Sequence, residues 1–213
     1  MSLVPLSGKE LDRVFRQPLP KYFTQPEVNA ILSAVAHDPR SYVLINALWK
    51  TGARISELLD LRREDLDPYA KSIRLKTLKH GVRREIYRGV GRKSRGERKA
   101  RFAERMLIVP DDLMVGVMSW LYAKKDGEDG KIFGFSRVTA FRIVKEACSL
   151  AGIKDSRAHP HTFRHSYAVH LLRQGVPVTV LKDLLGHSNI SSTLVYLRIT
   201  QPDAKAMLAM VQW

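Results

Sequence analysis

A mainly helical α+β domain with a small antiparallel sheet is the fold class this sequence predicts, on three observations. Apolar residues recur at helical spacing in segment after segment, each bounded by a capping residue or a glycine stop. Residues 72–77 instead alternate apolar with polar as a strand does, with a plausible partner at Met106 to Val109. With 213 residues and 45% hydrophobic content the chain can bury one substantial core, so a single folded unit is the default.

Residues 1–20 form a short lead ending in Gln17-Pro18-Leu19-Pro20, too small to fold alone, and the folded unit is placed at 21–213. Thr24 followed by Glu27 is a capping-box pattern, after which Val28, Ile31, Leu32 and Val35 share one helix face. Asp38 and Pro39 break that helix. Tyr42, Val43, Ile45, Leu48 and Trp49 continue as a second helix, which Gly52 is placed to end in a left-handed conformation. Ile55, Leu58, Leu59 and Leu61 suggest a short third helix, with Asp67-Pro68 as the next turn. In the strand at 72–77, Arg74 and Lys76 alternate with Ile73 and Leu75, which places both cations off the core side. Four more helices are expected: Asp111 or Asp112 to Ala123, Ser136 to Ala151, Thr162 to Gln174, and Pro177 to Leu185. Gly152, Gly175 and Gly186 end the last three. Ser188 to Tyr196 is ambiguous, and Pro202 to Val211 reads as a short apolar helix.

The charge narrows the function classes. A formal net charge of +15 favours a polyanionic partner, nucleic acid before all, although ribosomal or membrane-surface proteins are as basic. From Lys79 to Arg105 eleven Lys or Arg face three Glu, so this segment holds +8 of that charge. Within it Arg84 to Tyr87 has strand character, and Gly89 to Gly96 reads as a flexible basic loop. Cys148 is the one cysteine, which rules out an intramolecular disulfide and a cysteine-rich metal site. The N-terminus has no signal-peptide pattern and no apolar run is long enough to span a bilayer, so a cytoplasmic, non-membrane protein is expected.

Two runs concentrate reactive side chains: His159-Pro-His-Thr-Phe-Arg-His165, then Leu184-Leu-Gly-His187-Ser-Asn-Ile-Ser-Ser-Thr193-Leu-Val-Tyr196. A third, Thr51-Gly-Ala-Arg54-Ile-Ser-Glu57, puts an arginine directly after a helix stop. The first resembles the His-x-x-Arg-His box of the tyrosine recombinase (phage integrase) family, and the second its Leu-Gly-His-Ser … Thr-x-x-Tyr box. The third resembles the segment carrying that family's first arginine. With Lys76 on the expected hairpin, the resemblance covers about residues 20 to 200. It implies a tyrosine recombinase catalytic-domain fold that cleaves and rejoins DNA through a 3′-phosphotyrosyl intermediate. A type IB topoisomerase or a catalytically silent DNA-binding regulator is the alternative.

The chemistry also follows from the residue types. Transesterification at a phosphodiester needs a nucleophile, stabilisation of charge on the non-bridging oxygens, and a proton for the departing oxygen. A tyrosine titrates near pH 10, so Tyr196 needs a base or a cationic surrounding before it attacks. Arg54 and Arg164 are two permanently charged planar forks suited to a phosphate whose charge grows in the transition state. His161 is then the acceptor of the tyrosine proton or a phosphate ligand, and His187 a hydrogen-bond donor to a non-bridging oxygen. Lys76 is the general acid for the 5′ oxygen by resemblance, with Lys79 as runner-up. Glu57 and His165 are left to orient the arginines. With cations supplied by the protein, no metal or other cofactor is expected.

Arg74, Lys79, Arg83, Arg92, Lys93, Arg95 and Lys99 are expected to contact DNA, mainly its phosphates. Double-stranded DNA is thus the expected partner, and a homotetramer on DNA the expected assembly. Members of the family carry an N-terminal helical DNA-binding domain as well, and residues 1–20 cannot supply it. The chain is therefore expected to be an excised catalytic domain or a minimal natural member, with the long basic hairpin at 79–105 partly replacing the missing clamp. The tail after Tyr196 resembles the family's C-terminal segment, which docks on a neighbouring protomer; packing in cis is the alternative.

Overall fold

Helix α1 (Gln25–Ala34) begins at the expected box: the Thr24 amide donates to Glu27 Oε2 at 2.8 Å, and the Glu27 amide donates to Thr24 Oγ1 at 3.5 Å. The structure, a computed structural model, describes residue 16 and residues 18–78, 102–124 and 130–200. Asp38 does more than break α1. Its carboxylate accepts the Arg40 amide and caps α2 (Pro39–Thr51), so the second helix starts at the proline and not at Tyr42. Gly52 ends α2 with φ +58°, and a Cβ at that position would collide with the Tyr167 ring, so the turn requires glycine.

Helix α3 (Ile55–Leu59) is shorter than the apolar pattern suggests, because a 3₁₀ turn over Arg63–Asp65 takes up the chain after Leu61. The sheet has three antiparallel strands in the order β1 (Leu66–Asp67), β2 (Ser72–Leu78), β3 (Phe102–Ile108). Its smallest strand, β1, covers the first residue of the expected Asp67-Pro68 turn; two residues are too few to show alternation. Within β2, Ile73 and Leu75 are buried and Arg74 and Lys76 face outward, as their spacing requires. On β3, Leu107 is buried whereas Met106 and Ile108 are exposed.

The remaining helices are α4 (Asp111–Ala123), α5 (Arg137–Leu150), α6 (Pro160–Arg173), α7 (Val178–Leu185) and the one-turn α8 (Ser191–Leu194). Pro110 holds the cap position of α4, and Asp111 and Asp112 fall in its first turn, where a negative charge still suits the helix dipole. Helix α6 starts two residues before the expected Thr162, because the His159 side chain accepts the His161 amide and Pro160 suits the first helical position. Buried along most of its length, α2 is the central helix and packs on α4, α5 and α6. Leu44, Ile45 and Leu48 of α2 are fully buried, each contributing about 1.5–3 kcal/mol. A second, smaller cluster joins Ala168, Val169 and Leu172 of α6 to Leu181 and Leu185 of α7, with Val195 and Tyr196 beside them. The expected tail helix at 202–211, the strand at 84–87 and the loop at 89–96 lie outside the described residues. Among the described residues no helix is long and apolar enough to cross a membrane.

Candidate active site

Two glycine stops aim the site. After Gly52 the chain is extended at Arg54, which caps α3, and after Gly186 (φ +65°) it turns into His187. Arg164 on α6 ties the two stops together, donating to the Gly52 carbonyl at 2.8 Å and the Leu185 carbonyl at 2.7 Å. Three segments far apart in sequence therefore meet at one buried guanidinium. Burial, and then the charge of Arg54, pushes the Arg164 pKa down to about 10, which leaves it cationic at neutral pH.

Arg54 is about a third exposed and binds Glu57 Oε1 through Nη1 at 2.8 Å. Glu57 also accepts the Arg54 amide at 2.8 Å, so this carboxylate starts α3 and holds the arginine over it. Burial alone would raise the Glu57 pKa, but Arg105, Thr77 and the Arg54 amide together hold it down to about 2.

His187 Nδ1 lies 2.8 Å from Thr193 Oγ1. Burial, then Arg164, Arg54 and Arg105, hold its pKa down to about 3, so it is a neutral imidazole in the free chain. Tyr196 is 3% exposed, and its hydroxyl lies 2.9 Å from His165 Nδ1. Burial raises the Tyr196 pKa, against the opposing pull of Arg164 and Arg54. Burial, then His161 and Arg164, brings His165 down to about 4. His161 is exposed, with its ring stacked on His159 at 5.3 Å. Partial desolvation, then His159, Arg164 and Arg54, keeps its pKa below the ordinary histidine value.

Arg54, Arg164, His187 and Tyr196 thus form one electrostatic group. It differs from the expected constellation in two places. The tyrosine hydroxyl is held by His165, a residue the sequence left in an orienting role, and not by His161. Lys76 is not brought to the group: it projects from the outer face of β2 and binds Asp65 at 2.8 Å, with Glu64 at 3.7 Å. The physical reason is strand parity, since Thr77 bonds Glu57 from the inner face and the neighbouring residue must point away. Arg74, expected at DNA, shares that outer face and binds Asp65 at 3.0 Å. Lys79, Arg83, Arg92, Lys93, Arg95 and Lys99 lie outside the described residues. Sequence reasoning also missed Arg105, counted there as the last cation of the basic segment. The signal was its odd parity with Leu107 and Val109, both buried.

The neutral histidines make stability depend on pH. His165 and His187 titrate at about 4 and about 3, below the ordinary 6.5, so between these values the unfolded chain binds protons that the folded chain excludes. Their contribution is complete above pH 6.5 and is lost as the pH falls through 4 towards 3. A thermal melting series is expected to show Tm falling steadily below pH 6.5. A flat Tm across that window contradicts the two neutral histidines.

The chain is similar to known proteins along most of its length. The phage integrase family profile matches residues 21–202. A tyrosine recombinase of Thermosipho africanus is 32% identical over 197 residues, covering 88% of this chain and 60% of that protein. A resolvase of Escherichia coli is 36% identical over 206 residues, covering 88% of this chain and 77% of the resolvase. The chain thus spans less than two thirds of the first of these relatives and about three quarters of the second. The crystal structure of XerA recombinase superposes with a TM-score of 0.71 at 22% identity, over 93% of this chain and 68% of that one. XerH site-specific recombinase, crystallised bound to palindromic difH substrate as a post-cleavage complex, gives 0.66 at 17% identity, over 91% and 54%. Both share the mainly helical α+β fold with its small antiparallel sheet. On the family match, which covers the site from Arg54 to Tyr196, this chain belongs to the phage integrase family of tyrosine recombinases.

Proposed function

We propose that this chain is the catalytic part of a site-specific DNA recombinase, with residues 21–213 as the catalytic unit and 1–20 as a lead. The observation that carries the reading is the Tyr196 hydroxyl, held on His165 within the field of Arg54 and Arg164. Tyrosine Oη attacks phosphorus, the Oη–P bond forms as the P–O5′ bond breaks, and the 3′ end is kept as a phosphotyrosyl ester. Attack by a 5′ hydroxyl from another strand reverses the step. The bond energy is conserved in the ester, so no ATP is consumed.

Arg54 and Arg164 bind the non-bridging oxygens and meet the charge that grows on them. His187 adds a hydrogen bond there, and the exposed His161 is placed to meet the phosphate. His165 is the first acceptor for the tyrosine proton. The 5′ oxygen needs a proton donor, and Lys76 is engaged by Asp65. The role therefore passes to Lys79, which in sequence has the parity of Thr77 and lies outside the described residues. At 3% exposure Tyr196 cannot touch a phosphate without a shift of the segment around α8, so DNA binding or assembly has to deliver it.

Double-stranded DNA as partner is supported by the net charge of +15 and by the XerH site-specific recombinase crystallised bound to palindromic difH substrate. Exchange between two duplexes requires several active sites, and a tetramer is the assembly we propose. Duplexes selected for binding from a random pool provide the test. Two labelled duplexes incubated with the protein are expected to give recombinant products. Relaxation of supercoiled DNA without exchange overturns the recombinase reading in favour of a topoisomerase, and binding without any cleavage overturns it in favour of a regulator.

A further inference from the structure

Arg105 makes four hydrogen bonds to three separate elements. Its Nε donates to the Leu184 carbonyl of α7 at 2.8 Å, and Nη1 donates to Thr77 Oγ1 of β2 at 2.9 Å. The fork also grips Glu57 of α3, Nη1 to Oε1 at 3.2 Å and Nη2 to Oε2 at 2.7 Å. Only 10% of the side chain is exposed, against 32% for the Arg54 side chain that shares the same carboxylate. Arg105 also lies directly beneath the turn into His187, since a Cβ at Gly186 would sit 2.9 Å from its Nη1.

One buried carboxylate between two arginines leaves a net positive charge, and the geometry decides which arginine carries it. Glu57 gives both oxygens to the inward-facing Arg105 guanidinium in a bidentate pair, the stronger arrangement, and a single contact to the outward-facing Arg54 guanidinium. We propose that Arg105 is a positioning residue for strand cleavage: it neutralises Glu57, so that the charge of Arg54 is left for the DNA phosphate, and it fixes the His187 turn against α3. This inference rests on the recombinase reading above. Without Arg105 the buried carboxylate draws the Arg54 guanidinium onto itself, or takes up a proton, and the Leu184 carbonyl loses its donor.

A purely structural Arg105 and a charge-balancing one differ in three readouts. In Arg105→Gln, single-turnover cleavage of a nicked duplex at saturating DNA is expected to slow by about tenfold or more, while DNA affinity changes by less than about twofold. Adding Glu57→Gln removes the unbalanced carboxylate and is expected to recover part of that rate, so the double variant cleaves faster than the product of the two single effects allows. Arg105→Lys keeps the charge without the fork and is expected between wild type and Arg105→Gln, which keeps the comparison open if the glutamine variant folds poorly. In the free protein, the Glu57 carboxyl followed by NMR is expected to titrate at about 2 in wild type. Facing only Arg54, Thr77 and the more distant Arg164 in Arg105→Gln, it should titrate well above that. Wild-type cleavage rates in Arg105→Gln, or strictly multiplicative defects in the double variant, overturn the proposal. If wild type itself forms no covalent adduct, the recombinase reading fails, and the carboxyl titration then judges Arg105 alone: an unmoved Glu57 overturns the charge balance.

Discussion

Tyr196→Phe is expected to abolish covalent DNA attachment completely while leaving the fold intact. The substitution removes one oxygen and keeps the ring, which packs in the second core cluster with Leu181, Leu185 and Val195. The hydrogen bond to His165 is lost, and a half-buried imidazole nitrogen is left without that partner. Leaving a buried polar group unmatched costs about 1–3 kcal/mol, and the low end applies here because His165 is only partly buried. The catalytic loss is far larger, since the phosphate ester needs a hydroxyl oxygen and neither His165, His187, Arg54 nor Arg164 carries one. Denaturing electrophoresis on a nicked duplex and a melting curve of the same preparation separate the two effects. Residual adduct at more than a trace identifies another nucleophile.

Glu57→Ala carries the largest expected loss of stability. Glu57 is 4% exposed, and its carboxylate is the common acceptor for the Arg105 fork, the Arg54 guanidinium, the Arg54 amide and the Thr77 hydroxyl. Removing it leaves the Arg105 cation buried beside Arg164 with no counter-charge. Breaking a buried pair from one side costs about 3–5 kcal/mol, a large share of the roughly 5–15 kcal/mol that holds a domain of this size together. Arg105 still keeps the Leu184 carbonyl, which sets the expectation at the lower part of that range. Urea unfolding followed by tryptophan fluorescence measures it. Glu57→Gln, which retains an acceptor oxygen, is expected to lose less, and an alanine variant as stable as wild type contradicts the buried pairing.

Much of the site is legible in the sequence because its aiming devices are local. Gly52 before Arg54 and Gly186 before His187 are turns that glycine performs by itself, and the Thr24–Glu27 box starts α1 with no help from the rest of the fold. The inner and outer faces of β2 follow from alternation, which had already set Lys76 off the core side. What alternation alone could not supply was the location of the site relative to the sheet. Thr77 on Glu57 ties the inner face of β2 to Arg54, whereas Lys76 projects from the outer face onto Asp65. Arg105 was hidden by composition: as one of eleven cations between residues 79 and 105 it reads as solvated charge, and only the pairing of Leu75 with Arg105 across the ladder puts it inside. The choice between His161 and His165 turns on the placement of α8, four residues long and carried by packing against α7, for which no periodicity exists to read. The short strand β1 escaped for the same reason, since two residues cannot alternate visibly.

In the proposed recombinase, Arg54, Arg164 and His187 serve one nucleophile, the Tyr196 oxygen. Proteolysis of the covalent adduct formed on a nicked duplex, followed by mass spectrometry of the nucleotide-bearing peptide, tests it most directly. The arrangement predicts a 3′-phosphonucleotide on Tyr196 within the peptide that follows Lys182. A nucleotide on any other residue, or DNA released unmodified by denaturation, contradicts it.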